Sequence, residues 1–583
     1  MLVIAVLSGF LASCHEPAAK QTETSDKPAF AGFLAKYYED RIRLSPLDAT
    51  QNGDMRYNDL LPADFTDGYR DTLKNFYSRF QTTLTQYDTA TLDENDRISY
   101  DILQWELNSR LEGLQYHLNY VPFNQFYAVP LTLGQLGSGA SFQPFTTIKD
   151  HEDWLKRATA FASWSDSAIA YFRKGIAANY VLPRSLVVKM IPEMRAMVVS
   201  QPEKSLFYGP VAKLANISDT AAAARLKSQY LTVIRDYIIP SYKKLGDFLA
   251  NEYLPKARST SGIGDLPEGK AAYAWLVRDQ TTTRKTPEEI YQTGLNEVAR
   301  IRGLMDSVKN AVGFKGDLTA FFDYMKTDKK FMPYKTPADV LAAFEAIHQK
   351  MQPYLRKMFN HVPKTGFEIR QTEAFRAASA SAEYNQGSAD GKRPGIFYVP
   401  ILDATKFNTT SGMESLFLHE AIPGHHYQIS LQQEDTALPA FRRFGGNNAY
   451  VEGWALYCES LGKELGLYTD PYQYMGALGD EIHRAIRLVV DVAIHTKGMT
   501  REQAIKYMMQ NEAISEEGAT AEIERYMAIP GQALGYKIGA LKIRELRSRQ
   551  QTKLGDKFNL AGFHDQVLKD GAMPLDVLES RFR

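Results

Sequence analysis

Apolar residues recur at three- and four-residue spacing through most of this chain, the pattern of helices that bury one face. AGFLAKYYEDRIRL (31–44), SLFLHEAI (415–422), LVVDVAIH (488–495) and AIKYMMQNEAI (504–514) all carry it. Strand-like stretches are few. The best is GIFYVP (395–400), and its flanking Pro394 and Pro400 predict a strand at a sheet edge, because proline cannot donate to a ladder. Polar runs rich in Gly and Ser interrupt the pattern near 257–270 and 384–394. No repeat of fixed period is evident. The expected fold is mainly α-helical, α+β with a small β-sheet. Residues 29–260 are expected to form an N-terminal helical lobe and residues 270–583 a C-terminal lobe that carries the chemistry.

The N-terminus departs from this pattern. MLVIAVLSGFLAS (1–13) is apolar and uncharged, too short to span a bilayer, and reads as the core of a secretion signal. It runs into Leu11-Ala12-Ser13-Cys14, which resembles the bacterial lipobox, although no Lys or Arg precedes the run. The expectation is a signal over residues 1–13, lipidation at Cys14, a polar tether over 14–28 and a folded unit over 29–583. Such a protein is an exported bacterial lipoprotein, periplasmic or outer-membrane associated, that meets the membrane through its lipid anchor only. The other cysteine is Cys458, so a lipidated Cys14 leaves no pair for an intramolecular disulfide. The 583 residues balance 68 basic against 68 acidic side chains, which gives no general attraction for nucleic acid.

The chemistry concentrates at HEAIPGHH (419–426). It begins like H-E-x-x-H, in which two histidines four apart on a helix hold one metal. Here Pro423 stands where the second histidine would be, and His425 and His426 follow. Ser411-Gly-Met-Glu414 matches a capping box and predicts that the helix starts there. The Pro423 ring collides with the carbonyl of His419, so a regular helix cannot continue unchanged. In a straight helix His425 would lie about 240° around from His419, and His426 roughly 10 Å along the axis. Zinc ligands lie about 2.0–2.1 Å from the metal, so one ion requires the Pro-Gly pair to re-aim the backbone. The reading is a zinc site with His419 and His425 as ligands, His426 as the alternative to His425, and Glu420 as general base. Other divalent ions suit the same donors. A third ligand is expected from the next helix, which Asn447 or Asn448 is placed to cap. Glu452 is preferred, and Glu459, two turns on along the same face, is the rival.

HEAIPGHHYQ (419–428), EGWALY (452–457), RLVVDVAIH (487–495) with GMTREQAI (498–505), and EIERYMAIPGQALGYKIG (522–539) together resemble the bacterial family known as domain of unknown function 885. The likeness extends to FLAKYYEDRIRLSPLDATQNGD (33–54) and RPGIFYVP (393–400), nearly the whole folded unit. The resemblance implies a large, mainly helical two-lobed body with a deep cleft and a zincin-like core, and a metal-dependent peptidase or carboxypeptidase. It fixes no substrate.

Four further groups suit that chemistry. Arg487, Asp491 and His495 share one helical face, near Arg484, with Asp491 placed to orient His495. Pro530 suits the first turn of a helix, whose free N–H groups are placed to hold a carboxylate or an oxyanion. Arg525, with Gln532 nearby, is placed to pair with a substrate carboxylate, and Tyr536 or His495 to donate to an oxyanion. Tyr398, on the strand before the metal helix, is expected to line the cleft where an extended peptide adds to the sheet. The function expected is zinc-dependent hydrolysis of amide bonds in short peptides, carboxypeptidase-like. The alternative is a non-catalytic surface lipoprotein that binds peptides or glycans for uptake.

Overall fold

The computed structural model describes residues 29–372, 381–388, 391 and 393–583, and most of them are helical. Two of the four stretches with helical spacing lie within the helices Phe30–Leu44 and Pro471–Thr496, and the other two start in Met413–Glu420 and Arg501–Asn511 and run two and three residues past their ends. Residues 1–28, with the apolar run, Cys14 and the tether, lie outside the described residues. Among the described residues, no helix is long and apolar enough to cross a membrane.

Strands β1 (Phe367–Gln371), β2 (Glu383–Asn385) and β3 (Gly395–Val399) form a sheet of order β1-β3-β2, with β3 parallel to β1 and antiparallel to β2. GIFYVP is therefore the central strand, not an edge. Pro394 and Pro400 stand just outside its five residues, so every N–H of the strand is available to the ladder. β2 extends into the run 384–394 read from sequence as a polar loop. The sheet backs onto the metal-helix region through aromatic rings: Phe397 and Phe367 lie 6.5 and 6.2 Å from Phe417.

Seven helices set the candidate site: α1 (Pro287–Ala311), α2 (Met413–Glu420), α3 (His425–Glu434), α4 (Asn448–Glu459), α5 (Pro471–Thr496), α6 (Glu516–Ala528) and α7 (Leu534–Leu554). The predicted capping box at Ser411 does not form. Gly412, in the left-handed region at φ +79°, precedes α2 instead, and the Ser411 hydroxyl donates to the Asn408 carbonyl. Glu414 turns inward, where its carboxylate accepts from the Tyr468 N–H at 2.6 Å and faces Lys350. Asn447 does cap α4, accepting from the Tyr450 N–H.

Two apolar cores share α5. Leu488 and Val492 face the core around α2, α4 and α7, while Ile482, Ile486, Val489 and Val490 face a second core built largely from helices between 123 and 331. A helix apolar on nearly all sides is one buried on all sides. The cores do not divide at 260–270. Residues 30–37 and 76–107 pack with the C-terminal core, and Ile263 of the polar run near 257–270 is buried in it. The Ile263 N–H donates to His495 Nδ1 at 3.0 Å, and a Cβ at Gly262 would stand 2.1 Å from the Ile494 carbonyl. Glycine lets this backbone press against α5, a use of Gly that a linker reading does not foresee.

α4 and α7 cross in backbone contact. A Cβ added at Gly453 would meet Gly539 Cα at 2.5 Å, and one at Gly539 would meet the Ala449 carbonyl oxygen at 1.9 Å. This crossing fixes where Glu452 stands relative to Tyr536. Lys537, fully buried, ties α7 to Glu297 of α1 and Glu481 of α5 at 2.8 Å each. Behind α4, His564 Nδ1 donates to the Met358 carbonyl at 2.8 Å while Nε2 accepts from Tyr457 at 2.9 Å.

Two outcomes follow from this packing. Gly539→Ala forces α4 and α7 apart and should destabilise the protein by about 1–3 kcal/mol in urea unfolding, as overpacked sites do. Burial holds the His564 imidazole down to about 4, against about 6.5 in an unfolded chain. Below pH 6.5 the unfolded chain takes up a proton that the folded chain refuses. Stability is then lost as pH falls through this window, by about 2 kcal/mol from this residue between pH 7.5 and 5. His564→Gln should flatten that part of the urea-midpoint profile.

Candidate metal centre

α2 ends at Glu420 and α3 begins at His425. The four residues between them contain a cis Ile422–Pro423 peptide and Gly424. Position 424 admits only glycine, because a Cβ there would stand 1.9 Å from the His419 carbonyl oxygen and 2.3 Å from that of Leu418. The Pro423 carbonyl accepts from Trp454 Nε1 at 2.8 Å, which pins the break to α4, two residues from Glu452. The reversal brings the His419 and His425 rings to 4.8 Å, at 88° to one another.

Three donors converge here. His419 Nε2 and His425 Nε2 each lie 3.5 Å from Glu452 Oε2. The three ligand atoms fall within 4.8 Å of one another. Ligands about 2.0–2.1 Å from a tetrahedral ion are roughly 3.3 Å apart, so the spacing suits a single small ion. Burial leaves Glu452 Oε2 and His425 Nδ1 with no hydrogen-bond partner. A buried carboxylate oxygen aimed between two imidazoles is a costly arrangement unless a cation satisfies it. Two imidazoles and one carboxylate also form a donor set with room for a further ligand, which catalytic zinc sites need.

Glu459 does not join these donors. Its Oε1 lies 2.7 Å from His419 Nδ1, so His419 carries its proton there and presents Nε2 toward Glu452. Glu452 and Glu459, two turns apart on α4, thus hold the His419 ring from opposite edges. Arg484 Nη2 approaches Glu459 at 3.9 Å. Desolvation opposes charge on His419, but the Glu452 and Glu459 carboxylates beside it push it up to about 10. Burial would raise the Glu452 carboxyl, yet the His425 and His419 imidazoles beside it hold it well below the carboxylate range. Burial pushes the Glu420 carboxyl up, with His419 and His425 opposing the shift.

His426 points the other way. It is buried against the sheet, with its Nδ1 3.0 Å from the Tyr384 hydroxyl and its ring 5.1 Å from that of Phe367. Consecutive residues on a helix differ by about 100° in direction, so His425 can face α4 only if His426 faces away.

Tyr536 lies near the ligand cluster. Desolvation and then the Glu452 charge push its hydroxyl up to about 12, so it stays a donor at neutral pH. The Arg487 guanidinium lies 4.7 Å from the centre of its ring. Arg487 Nε donates to the Tyr526 hydroxyl at 3.0 Å, and Nη2 faces Glu522 and His483 at 3.2 and 3.1 Å. Arg525 is occupied by the protein: Nε and Nη2 donate to Glu522, and Nη1 donates to Gln532 Oε1 at 2.8 Å. Gln532 Nε2 in turn approaches Asn448.

The structure does not bring His495 to the cluster as an oxyanion donor. Nδ1 accepts from Ile263 N–H, and Nε2 lies 3.1 Å from the Tyr526 carbonyl, so backbone takes both ring nitrogens. Asp491 does not orient His495. It accepts from the Tyr273 hydroxyl at 2.6 Å and from Gly531 N–H at 3.1 Å. That contact also takes an N–H predicted to be free for an anion, and α7 begins at Leu534, after the Pro530 turn. Tyr398 stands on β3 between Arg370 of β1 and Glu383 of β2, so no peptide can add to its strand. Glu522 is a site residue that sequence reasoning passes over. Its only signal is the i, i+3 spacing to Arg525, and nothing local reveals that Arg487 arrives from α5.

The whole fold recurs in known structures. A protein from Colwellia psychrerythraea described as a "putative lipoprotein" is 28% identical, with a TM-score of 0.87 over 95% of this chain and 98% of that one. A protein of unknown function from Shewanella oneidensis, given the same description, is 20% identical, with a TM-score of 0.73 over 95% and 99%. That second likeness establishes the fold alone. No curated protein matches the chain. Residues 46–582 match the family described as "Bacterial protein of unknown function (DUF885)", and the chain belongs to that family.

Proposed function

We propose that this protein is a metal-dependent hydrolase of amide bonds in short peptides, carboxypeptidase-like, anchored as an exported lipoprotein. The observation that carries the reading is the convergence of His419, His425 and Glu452 around one point, with Glu452 Oε2 buried and otherwise unpartnered. The resemblance of Leu11–Cys14 to a lipobox and the description of the Colwellia protein support the anchor.

In this reading His419 and His425 through Nε2, and Glu452 through Oε2, hold a divalent ion, with zinc the best fit to the donor set. Such an ion supplies Lewis-acid polarisation of a water and of a substrate carbonyl. Glu420 follows His419 directly, and burial raises its proton affinity. It accepts the proton of the attacking water and delivers it to the leaving amine. Tyr536 donates its hydroxyl to the oxygen on which charge develops. Glu459 fixes the tautomer and direction of His419.

Elemental mass spectrometry of the purified protein should find about one zinc per chain, and none in His419→Ala. Glu459→Gln should retain the metal with about 10–100-fold weaker affinity in a chelator competition. A parent protein without metal after zinc loading would retire the hydrolase in favour of a peptide- or glycan-binding lipoprotein. On a cleaved peptide, Glu420→Gln should lower kcat about 10²–10⁴-fold, and Tyr536→Phe about 10²–10³-fold. Both should keep the metal, which separates loss of chemistry from loss of the site.

A further inference from the structure

Arg487 is almost entirely buried on α5, and its Nη1 has no hydrogen-bond partner. Its other two nitrogens are engaged, by Tyr526 and by Glu522 with His483. Glu522 is also the carboxylate that Arg525 contacts. Two guanidiniums therefore lean on one carboxylate, and among the described residues no other carboxylate forms an ion pair with either. Glu512, the next acid in this cluster, is engaged by His483. All three Arg525 nitrogens donate within the protein, whereas Arg487 keeps a buried nitrogen without a partner. Arg487 also lies against the ring of Tyr536, on the helix that crosses α4 in backbone contact at Gly453, next to Glu452.

We propose that Arg487, through Nη1, is the group that binds a carboxylate of the substrate, next to the His419–His425–Glu452 cluster and beside Tyr536. Arg525 is a positioning residue for it: by sharing Glu522 it leaves Arg487 incompletely neutralised, and through Gln532 it braces the turn that leads to Tyr536. A guanidinium with a desolvated open donor suits a planar carboxylate and discriminates strongly against a neutral amide, which cannot supply the charge. The carboxylate is either the C-terminal one, which makes the protein an exopeptidase, or an acidic side chain next to the cleaved bond. This inference rests on the proposed hydrolase for its substrate class, while its binding prediction can be tested without turnover.

The test uses zinc-loaded Glu420→Gln protein and three N-dansyl tripeptides, ending in alanine acid, alanine amide and glutamate α-amide. Fluorescence titration should show at least ten-fold tighter binding of the alanine acid than of the alanine amide. Tight binding of the glutamate amide as well assigns the site to acidic side chains, and its weak binding assigns the site to the C-terminus. Both outcomes uphold a carboxylate site. In Arg487→Gln, added to Glu420→Gln, the acid-to-amide ratio should collapse toward one. If that variant fails to fold by circular dichroism, Arg487→Lys, which keeps the charge but lacks the fork, should cut the ratio at least three-fold. Equal binding of all three peptides in the Glu420→Gln protein, or a preference for the carboxylate that survives in the folded Arg487 variant, overturns the proposal. Discrimination without cleavage of any peptide by the parent protein retires the hydrolase and keeps the subsite. Cleavage of acid and amide alike does the reverse.

Discussion

A methyl group at position 424 would place its carbon 1.9 Å from the carbonyl oxygen of His419. That one contact governs the candidate centre. Pro423 prevents α2 from continuing, and the chain must then fold back within four residues so that His425 faces His419. Only a residue without a Cβ can pass that close to the end of α2. Trp454 then ties the reversal to α4 through the Pro423 carbonyl, so the two histidines and Glu452 are set by one connected piece of backbone. For the metal site proposed above, donors held by one connected piece of backbone leave little ordering to be done on binding.

The charged groups behind the ligands are arranged with equal economy along α5. Asp480, Arg484, Arg487, Asp491 and His495 follow one another at three- or four-residue spacing, and each meets a different partner. Asp480 accepts from the Ser415 hydroxyl of α2, and Arg484 approaches Glu459. Arg487 meets Tyr526 and Glu522 of α6 and the ring of Tyr536 of α7. Asp491 holds the Gly531 turn. His495 holds the segment at Ile263. One buried helix thereby positions α2, α4, α6 and α7 by hydrogen bonds as well as by apolar packing. Such networks contribute rigidity and specificity of arrangement when nearly every member is satisfied. Two nitrogens on this face are left without a partner, Nε of Arg484 and Nη1 of Arg487.

Much of this was legible in the amino-acid sequence, and the limits have physical causes. Helices declare themselves by period, so their existence followed from spacing alone. Residue types near the candidate centre were also legible, because Pro423 and Gly424 break a helix between histidines and the next helix supplies acids. The position of GIFYVP in its sheet was not, since proline constrains only its own N–H and both prolines fall outside the strand. Nor could two acids on one face of α4 be assigned. Glu452 and Glu459 differ only in which edge of the His419 ring they meet, a fact of tertiary packing. Ser411 misled because the capping-box pattern is local, while Glu414 is recruited by Tyr468 from far along the chain.

His495 carries the broadest lesson. Shared helical face is a statement about direction from one axis, and it was sound for Arg487, Asp491 and His495. It does not say that what lies in that direction is the same along the helix. Over the two turns from Arg487 to His495, the surroundings change from the Tyr536 ring beside the ligand cluster to a backbone segment pressed in by Gly262 and Gly264. A polar residue under such a segment pairs with its main chain, because buried N–H groups must find an acceptor. The Ile263 N–H finds one in His495, which keeps that imidazole away from the His419, His425 and Glu452 cluster.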